Sequence, residues 1–518
     1  MEANKIYTRT KSVDGIGCEC AADHTLPDYK GDVKRVLFTD CRIVEEGTFP
    51  DGNRLDLIGK VELCIVYLDS EGELEHCEFY ADYDTYVPCD GEQYAAASSA
   101  LDVQSYSIRL TGPRKLSARA VLGGSVEITE NAESTVGGDA LEREDAELLT
   151  QDLMIADMAC VRSEKKEYTD VLERMEGVIA DEVEVLYRGA EVRIKDASCS
   201  EGRGEHSGEL CITALVKCAN EQPHIVEKVI PFSDIFELEC GEELDARSIS
   251  SRLIVKDLQT VVNMDEGGSS VEFKAEVGGE MKVYGNSRVT VVKDCFLTRS
   301  ECECERGVMN YTTFVDQALG SGEVSELVPK ESVGIGDVRN IVIADAKAHL
   351  DHVEMKDGYA ELCGEIRFSG IACEINCDNE PEYQSVRVEI PFKENVNISG
   401  QISETAALDA SVRAWGGEMT LDGDALCLYC KLDMSVFVTD ERSEEVVISA
   451  SGNGEELAVT DGVVTVYYPE EGETLFDIAK RYHKSMVCVA ADNSLTESVF
   501  AAKDRSARSL GIDRIIIK

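Results

Sequence analysis

The chain has 518 residues, too many for one compact domain, and at roughly 100–200 residues per domain three or four are expected. Its 101 acidic and 51 basic residues give a net charge of −50, which excludes the cationic surface that nucleic acid or an anionic membrane requires. At 43% hydrophobic, with only 10 prolines, it still has apolar mass for several cores and does not read as disordered.

In chain order, the opening MEANKIYTRTKSVDGIG has no apolar core of signal-peptide length. No later stretch approaches the ~20 apolar residues of a membrane span. Cytosolic synthesis and retention, without membrane insertion, are therefore expected. Leu57–Leu68 alternates as a strand and closes on the acidic turn Asp69-Ser70-Glu71-Gly72. Leu141, Leu148, Leu149, Leu153 and Ile155 predict a helix over Leu141–Met158. Glu209–Cys218 and Leu362–Ile375 alternate like Leu57–Leu68. Each of the three is followed by a related element: Glu78-Phe79-Tyr80, Ile230-Pro231-Phe232 and Ile390-Pro391-Phe392. Gly31-Asp32-Val33-Lys34-Arg35-Val36-Leu37 likewise returns as Gly336-Asp337-Val338-Arg339-Asn340-Ile341-Val342. The offsets fit three degenerate copies of a module roughly 150 residues long. The expected fold is mainly β: antiparallel modules over 1–135, 136–298 (with a helical lead-in) and 299–448, then a linker over 449–462.

Residues 463–518 differ in kind. They hold eight basic and eight acidic side chains, so residues 1–462 carry the whole charge of −50. Val463–Tyr468 reads as a strand and Pro469–Glu473 as a turn. Glu473 or Thr474 can serve the first amides of a helix whose apolar face is Leu475, Ile478, Ala479 and Tyr482. A second helical stretch, Val487–Ala491, leads to Asn493, and Gly511 precedes a closing strand.

The 20 cysteines suit reduced structural thiols, in preference to cross-links in an assembly or metal ligands. Cys427 and Cys430 point to opposite sides of a strand and make a poor clamp. Cys18/Cys20 and Cys302/Cys304 each share a strand face and could hold a metal or form bridges. His349, His352 and Glu354 lack a matching ligand cluster, so no metal or cofactor is expected. No phosphate loop, dinucleotide fingerprint, zinc-protease helix or serine-hydrolase elbow is present; no catalytic residue is expected and the chain does not read as an enzyme.

The pattern Val-Tyr-Tyr-x-x-x-x-Gly-Glu-Thr-Leu-x-x-Ile-Ala-x-x-Tyr, then Asn493 and Gly511, resembles a LysM module, which implies a strand–helix–helix–strand (βααβ) fold. The Asn493–Gly511 spacing is longer than that family's, and a closing proline is missing; both changes fall near where LysM modules hold glycan chains. Leu26-Pro27, Gly31-Asp32-Val33, Pro113-Arg114-Lys115-Leu116 with Arg119-Ala120, Ile230-Pro231-Phe232 and Val292-Lys293-Asp294-Cys295-Phe296 resemble the SPOCS domain. Together the order of motifs is similar to the SipL-like family of clostridial spore-coat morphogenetic proteins.

That resemblance implies a scaffold in the mother-cell cytoplasm at the surface of the developing forespore. It implies docking through the LysM module on the coat basement ATPase SpoIVA, alongside other coat proteins. The alternatives are a wall protein that binds peptidoglycan or another N-acetylglucosamine glycan, and a self-assembling coat or exosporium layer protein. For partner or glycan binding the candidates are Tyr468, Gly472, Glu473, Thr474, Leu475 and Asn493, set against the plainer role of building the module. Of Tyr467, Tyr468 and Tyr482, one or two are expected in the core, with the rest exposed as anchors.

Overall fold

The computed structural model describes all residues except 1–3, 90–93, 136–139, 141–142, 163–164, 201–202, 219–220, 238–243, 266, 337, 376–379, 400–401, 404–405, 458–463 and 497–504. The protein is mainly β; the described residues include two seven-residue α-helices, both near the C-terminus. No helix among the described residues is long and apolar enough to cross a membrane.

One order of pairing occurs in three stretches. In the first, β1 (Asn4–Thr25) pairs with β6 (Lys115–Thr135), which also pairs with β5 (Tyr94–Gly112). Between them β2 (Val33–Asp51), β3 (Arg54–Asp69) and β4 (Leu74–Pro88) form an antiparallel meander. In the second, β7 (Ala146–Arg162) and β12 (Leu244–Asp265) flank β13 (Gly268–Leu297), which β8 (Lys166–Glu176) also joins. Its meander is β9 (Val183–Ser200), β10 (Arg203–Cys218) and β11 (His224–Glu237). In the third, β14 (Ser300–Pro329) and β18 (Ala406–Asp422) flank β19 (Ala425–Glu456), around the meander β15 (Val338–Lys356), β16 (Tyr359–Ile375) and β17 (Pro381–Asn397).

Each meander carries the same packing device. Tyr83 lies across from Gly59, Phe232 from Gly208 and Phe392 from Gly364. A Cβ on Gly364 would lie 2.8 Å from the Phe392 ring and would overlap the carbonyl oxygen of His349. Gly208 and Gly59 are crowded in the same way, by Arg193 and Glu45 on the neighbouring strand and by the facing aromatic. Each glycine lets a ring lie flat over the strand beside a bulge. In the first meander this aromatic is Tyr83, so the counterpart of the Ile-Pro-Phe steps is Ala81-Asp82-Tyr83, three residues beyond the expected Glu78-Phe79-Tyr80.

The inner faces of the sheets build the cores. β1–β6 surround one cluster that includes Leu55, Leu63, Leu116 and Ile128. β14–β19 surround another that includes Leu362, Phe368, Leu428 and Val436. The middle stretch packs Leu210, Ile212, Phe273 and Ala275. A shared core joins the three: Leu37 and Phe38 of β2, Leu186 and Tyr187 of β9, and Val342 and Ile343 of β15 are buried together. Charges sit beside it. The Tyr187 hydroxyl donates to Asp40 at 3.0 Å, and the Lys347 ammonium also donates to Asp40. Burial opposes the Asp40 charge, but Lys347 outweighs it and holds the carboxyl below its ordinary range. Nearby, burial and then the charge of Asp345 push Glu191 up to about 7. Arg193 of β9 grips Asp433 of β19 with two bonds of 2.6 and 2.7 Å.

Two expectations about secondary structure are corrected. The helix expected over Leu141–Met158 is strand β7 over its described part from Ala146 onward, while Leu141 lies outside the described residues. β7 pairs with β13 from Ala146↔Leu297 to Arg162↔Glu280. Ile155, Ala156, Asp157 and Met158 are buried in succession, because β7 is covered on both faces. A strand covered on both faces loses its two-residue alternation and mimics a helical spacing. The second correction concerns residues 449–456, expected as linker, which continue β19 and pair with the start of β14, Glu305↔Ser449 through Ser300↔Glu456. Residues 458–462 of that linker lie outside the described residues.

Candidate functional site

The C-terminal unit is built from β20 (Thr465–Tyr467), α1 (Leu475–Arg481), α2 (Met486–Asp492) and β21 (Ile515–Ile517), with the two strands paired antiparallel. Its core holds Leu475, Phe476, Ile478, Ala479, Met486, Val489, Ala507, Ile515 and Ile517. Tyr467 and Tyr482 close the edge of that core with their rings 5.6 Å apart.

The turn before α1 is held from within. Gly472 takes φ +88°, a conformation that favours glycine. Glu473 is buried and does not cap the helix: its carboxylate accepts from the Tyr467 hydroxyl at 3.1 Å and the Glu470 amide at 3.0 Å, and pairs with Arg481 at 2.8 Å. Thr474 is the N-cap: its hydroxyl accepts from the Asp477 amide at 3.1 Å, while the Asp477 carboxylate accepts from the Thr474 amide at 2.9 Å. This reciprocal box satisfies two amides that a helix start leaves open. Asn493 ends α2 and uses both ends of its amide. Its nitrogen donates to the carbonyls of Val489 at 2.9 Å and Ile516 at 2.8 Å, and its oxygen accepts from the Ile516 amide at 2.7 Å. It ties α2 to β21.

Of the six candidates, then, Glu473, Thr474 and Asn493 have their polar atoms engaged inside the unit, and Leu475 is fully buried. Gly472 is exposed at the tip of the turn. Tyr468 is 65% exposed, and two residues absent from the candidate set extend its face: Val466 at 49% and Val464 at 61%. The three occupy alternate positions in and beside β20, a period-two spacing that would have marked this stripe in the sequence.

The long segment between Asn493 and Gly511 returns to the turn. Its residues 497–504 lie outside the described set, but Ser506 bridges Thr474, the Ala507 amide donates to the Glu473 carbonyl at 2.9 Å, and Arg508 donates to the Pro469 carbonyl at 2.9 Å. Two backbone groups of the strand–helix turn are thereby occupied from within the chain.

The unit is seated on the sheets before it. Lys480 pairs with Asp294 at 2.7 Å, Phe476 meets Phe296 with ring centres 5.2 Å apart, and His483 Nδ1 lies 2.9 Å from the Leu297 carbonyl. Phe296 belongs to the same apolar cluster as α1. Among the described residues, one set of three side chains groups as metal ligands: Cys295, Cys302 and Cys304. No protein-family model matches the chain, and no curated protein matches it either.

Proposed function

We propose that the chain is a non-enzymatic assembly scaffold of the SPOCS–LysM kind. In this reading three β modules of six, seven and six strands, whose recurring pairing order and Gly–aromatic device support a repeat, present acidic surface. The C-terminal unit, read as a LysM-like βααβ module, makes the specific contact. Its partner is a SpoIVA-type coat basement ATPase at the surface of a developing forespore. The observation that carries the reading is the exposed apolar stripe Val464, Val466 and Tyr468 on a unit with no net charge, attached to an array carrying −50. Like-charged arrays repel one another, and a neutral apolar edge is where a partner can approach. The bonding of the Pro469 and Glu473 carbonyls by Arg508 and Ala507 favours a protein partner over a glycan, because two of the turn's backbone acceptors are already occupied.

The test is binding of the full chain to an immobilised SpoIVA-type ATPase. Tyr468→Ala combined with Val466→Thr leaves the fold intact, since both side chains are largely exposed, and weakens capture at least tenfold. Equal capture of variant and native protein refutes the contact. Co-sedimentation with purified peptidoglycan that the same variant abolishes would favour the wall-protein alternative.

A further inference from the structure

The chain reverses direction at Thr298 and Arg299, between the end of β13 and the start of β14. The reversal carries Cys295 back onto Cys302 and Cys304. The sulfur separations are 3.0 Å for Cys295–Cys304, 3.9 Å for Cys295–Cys302 and 3.8 Å for Cys302–Cys304. A tetrahedral Zn²⁺ with Zn–S of ~2.3 Å spaces its sulfurs ~3.8 Å apart. Two of the three edges have that length already, and the third needs less than an ångström of movement. The pocket suits a thiolate group. Cys302 and Cys304 pair across the strand with Gly452 and Ala450, the two smallest residue types; Arg143 Nη1 and Leu297 Cδ1 come closest to Gly452, 2.9 and 3.1 Å from where its Cβ would be. Ala140, Val292, Leu297 and Val447 supply an apolar wall. Ser300, 2% exposed, has a hydroxyl without a hydrogen-bond partner, and that hydroxyl lies 3.8 Å from where a Cβ on Gly452 would be. This open buried hydroxyl sits on the same strand as Cys302 and Cys304, two residues before Cys302, and leaves a polar group for an occupant to satisfy. The matching pair of the first stretch, Cys18 and Cys20, faces Leu122 and Ala120 and has no third thiol grouped with it among the described residues.

We propose that Cys295, Cys302 and Cys304 form a binding site for Zn²⁺ at the seam where β13 passes to β14 and where the C-terminal unit is seated. Three thiolates select a soft-tolerant d¹⁰ ion over Mg²⁺ or Ca²⁺. Loading exchanges one Zn²⁺ for the protons of the three thiols, which pass to buffer; no sulfur is oxidised. The fourth position is left to water. The site bridges residues before and after the reversal and adjoins Asp294, which holds Lys480 of α1.

The test uses the full chain, purified under reducing conditions, stripped with chelator and titrated with Zn²⁺ and separately with Co²⁺. The native protein takes up one Zn²⁺ per chain that the Cys295→Ser/Cys302→Ser/Cys304→Ser variant does not. Co²⁺ gives an intense thiolate charge-transfer band that the variant lacks. The single variant Cys302→Ser, at the more open edge of the group, keeps the fold and loses at least the roughly 10–100-fold in affinity that removal of even an outer partner costs. Three results overturn the proposal: equal Zn²⁺ uptake by native and triple-serine chains, a Co²⁺ spectrum without thiolate bands, or a Cys295–Cys304 disulfide trapped by alkylation of protein from intact cells.

Discussion

Phe296 lies outside the C-terminal unit in sequence yet inside its core, and truncating it tests how the unit is held. The side chain is 2% exposed and meets Phe476 edge-on at 5.2 Å. A buried Phe→Ala change costs about 3–5 kcal/mol, of which an aromatic pair supplies about 0.5–1.5 kcal/mol. At about 0.05–0.15 kcal/mol per residue, a unit the size of 465–518 has only about 3–8 kcal/mol of its own. Phe296→Ala therefore brings it to the edge of local unfolding. Hydrogen exchange of the full chain, read peptide by peptide, measures this directly. With 1.4 kcal/mol per tenfold, protection of the α1 and α2 amides should fall roughly a hundred- to several-thousand-fold. The control Phe273→Ala, in the core of the middle stretch, should lower protection around β13 and leave α1 and α2 unchanged. Native-like protection of α1 and α2 in Phe296→Ala would refute the shared core.

The remaining expectations concern other parts of the chain. Asn493→Ala removes the amide that bonds Val489 and Ile516, and should destabilise the C-terminal unit by about 1–3 kcal/mol, seen as earlier proteolytic release of residues after α2. Gly364→Ala drives a methyl into the His349 carbonyl and the Phe392 ring, and should lower the melting temperature by several degrees, whereas alanine at the exposed Gly336 should not. Glu191 has its carboxyl raised, by burial and then Asp345, to about 7. A raised acid stabilises the fold in its protonated form, fully below the unfolded value near 4.5, and that contribution disappears as pH climbs through about 7. Melting temperature should thus decline between pH 5 and 8 more steeply in the native protein than in Glu191→Gln; identical slopes would show that Glu191 does not titrate there.

Strand periodicity made the β character readable, because runs such as Leu362–Phe368 keep one wet face. β7 escaped for the opposite reason: a strand with both faces covered has no wet face to announce it. The likeness of Ile230-Pro231-Phe232 to Ile390-Pro391-Phe392 was visible in the sequence, and both phenylalanines face a glycine, but the residue that does so in the first stretch was not the one expected. The invariant of the device is a glycine on the facing strand, and Tyr83 satisfies it while Phe79 does not. At the start of α1 the sequence offered Glu473 or Thr474, and Thr474 caps the helix; the bonds of Asn493 to Val489 and Ile516 were not foreseen, because they join elements 23 residues apart. Nor was the attachment of the C-terminal unit, since Phe296 and Asp294 reach it only through tertiary packing. The pairing of Cys302 with Cys304 was legible from spacing two along a strand, whereas Cys295 joins them through a chain reversal that no periodicity records.

The closure of each stretch by its own first and last strands sets a clock on folding. Asn4 meets Thr135 and Ser300 meets Glu456, so the closing partners are 131 (135 − 4) and 156 (456 − 300) positions apart. At roughly 5–20 residues per second of synthesis, β1 waits about 7–26 s for β6 to emerge. Contacts so distant in sequence also form slowly once both partners exist. During that interval β1 is an open strand edge, the form most prone to pair with another nascent chain. Its Arg9, Lys11, Asp14 and Glu19 interrupt any apolar run, and the acidic excess keeps chains on neighbouring ribosomes apart. The charge that sets the character of the finished protein thus acts first as protection for the unfinished one.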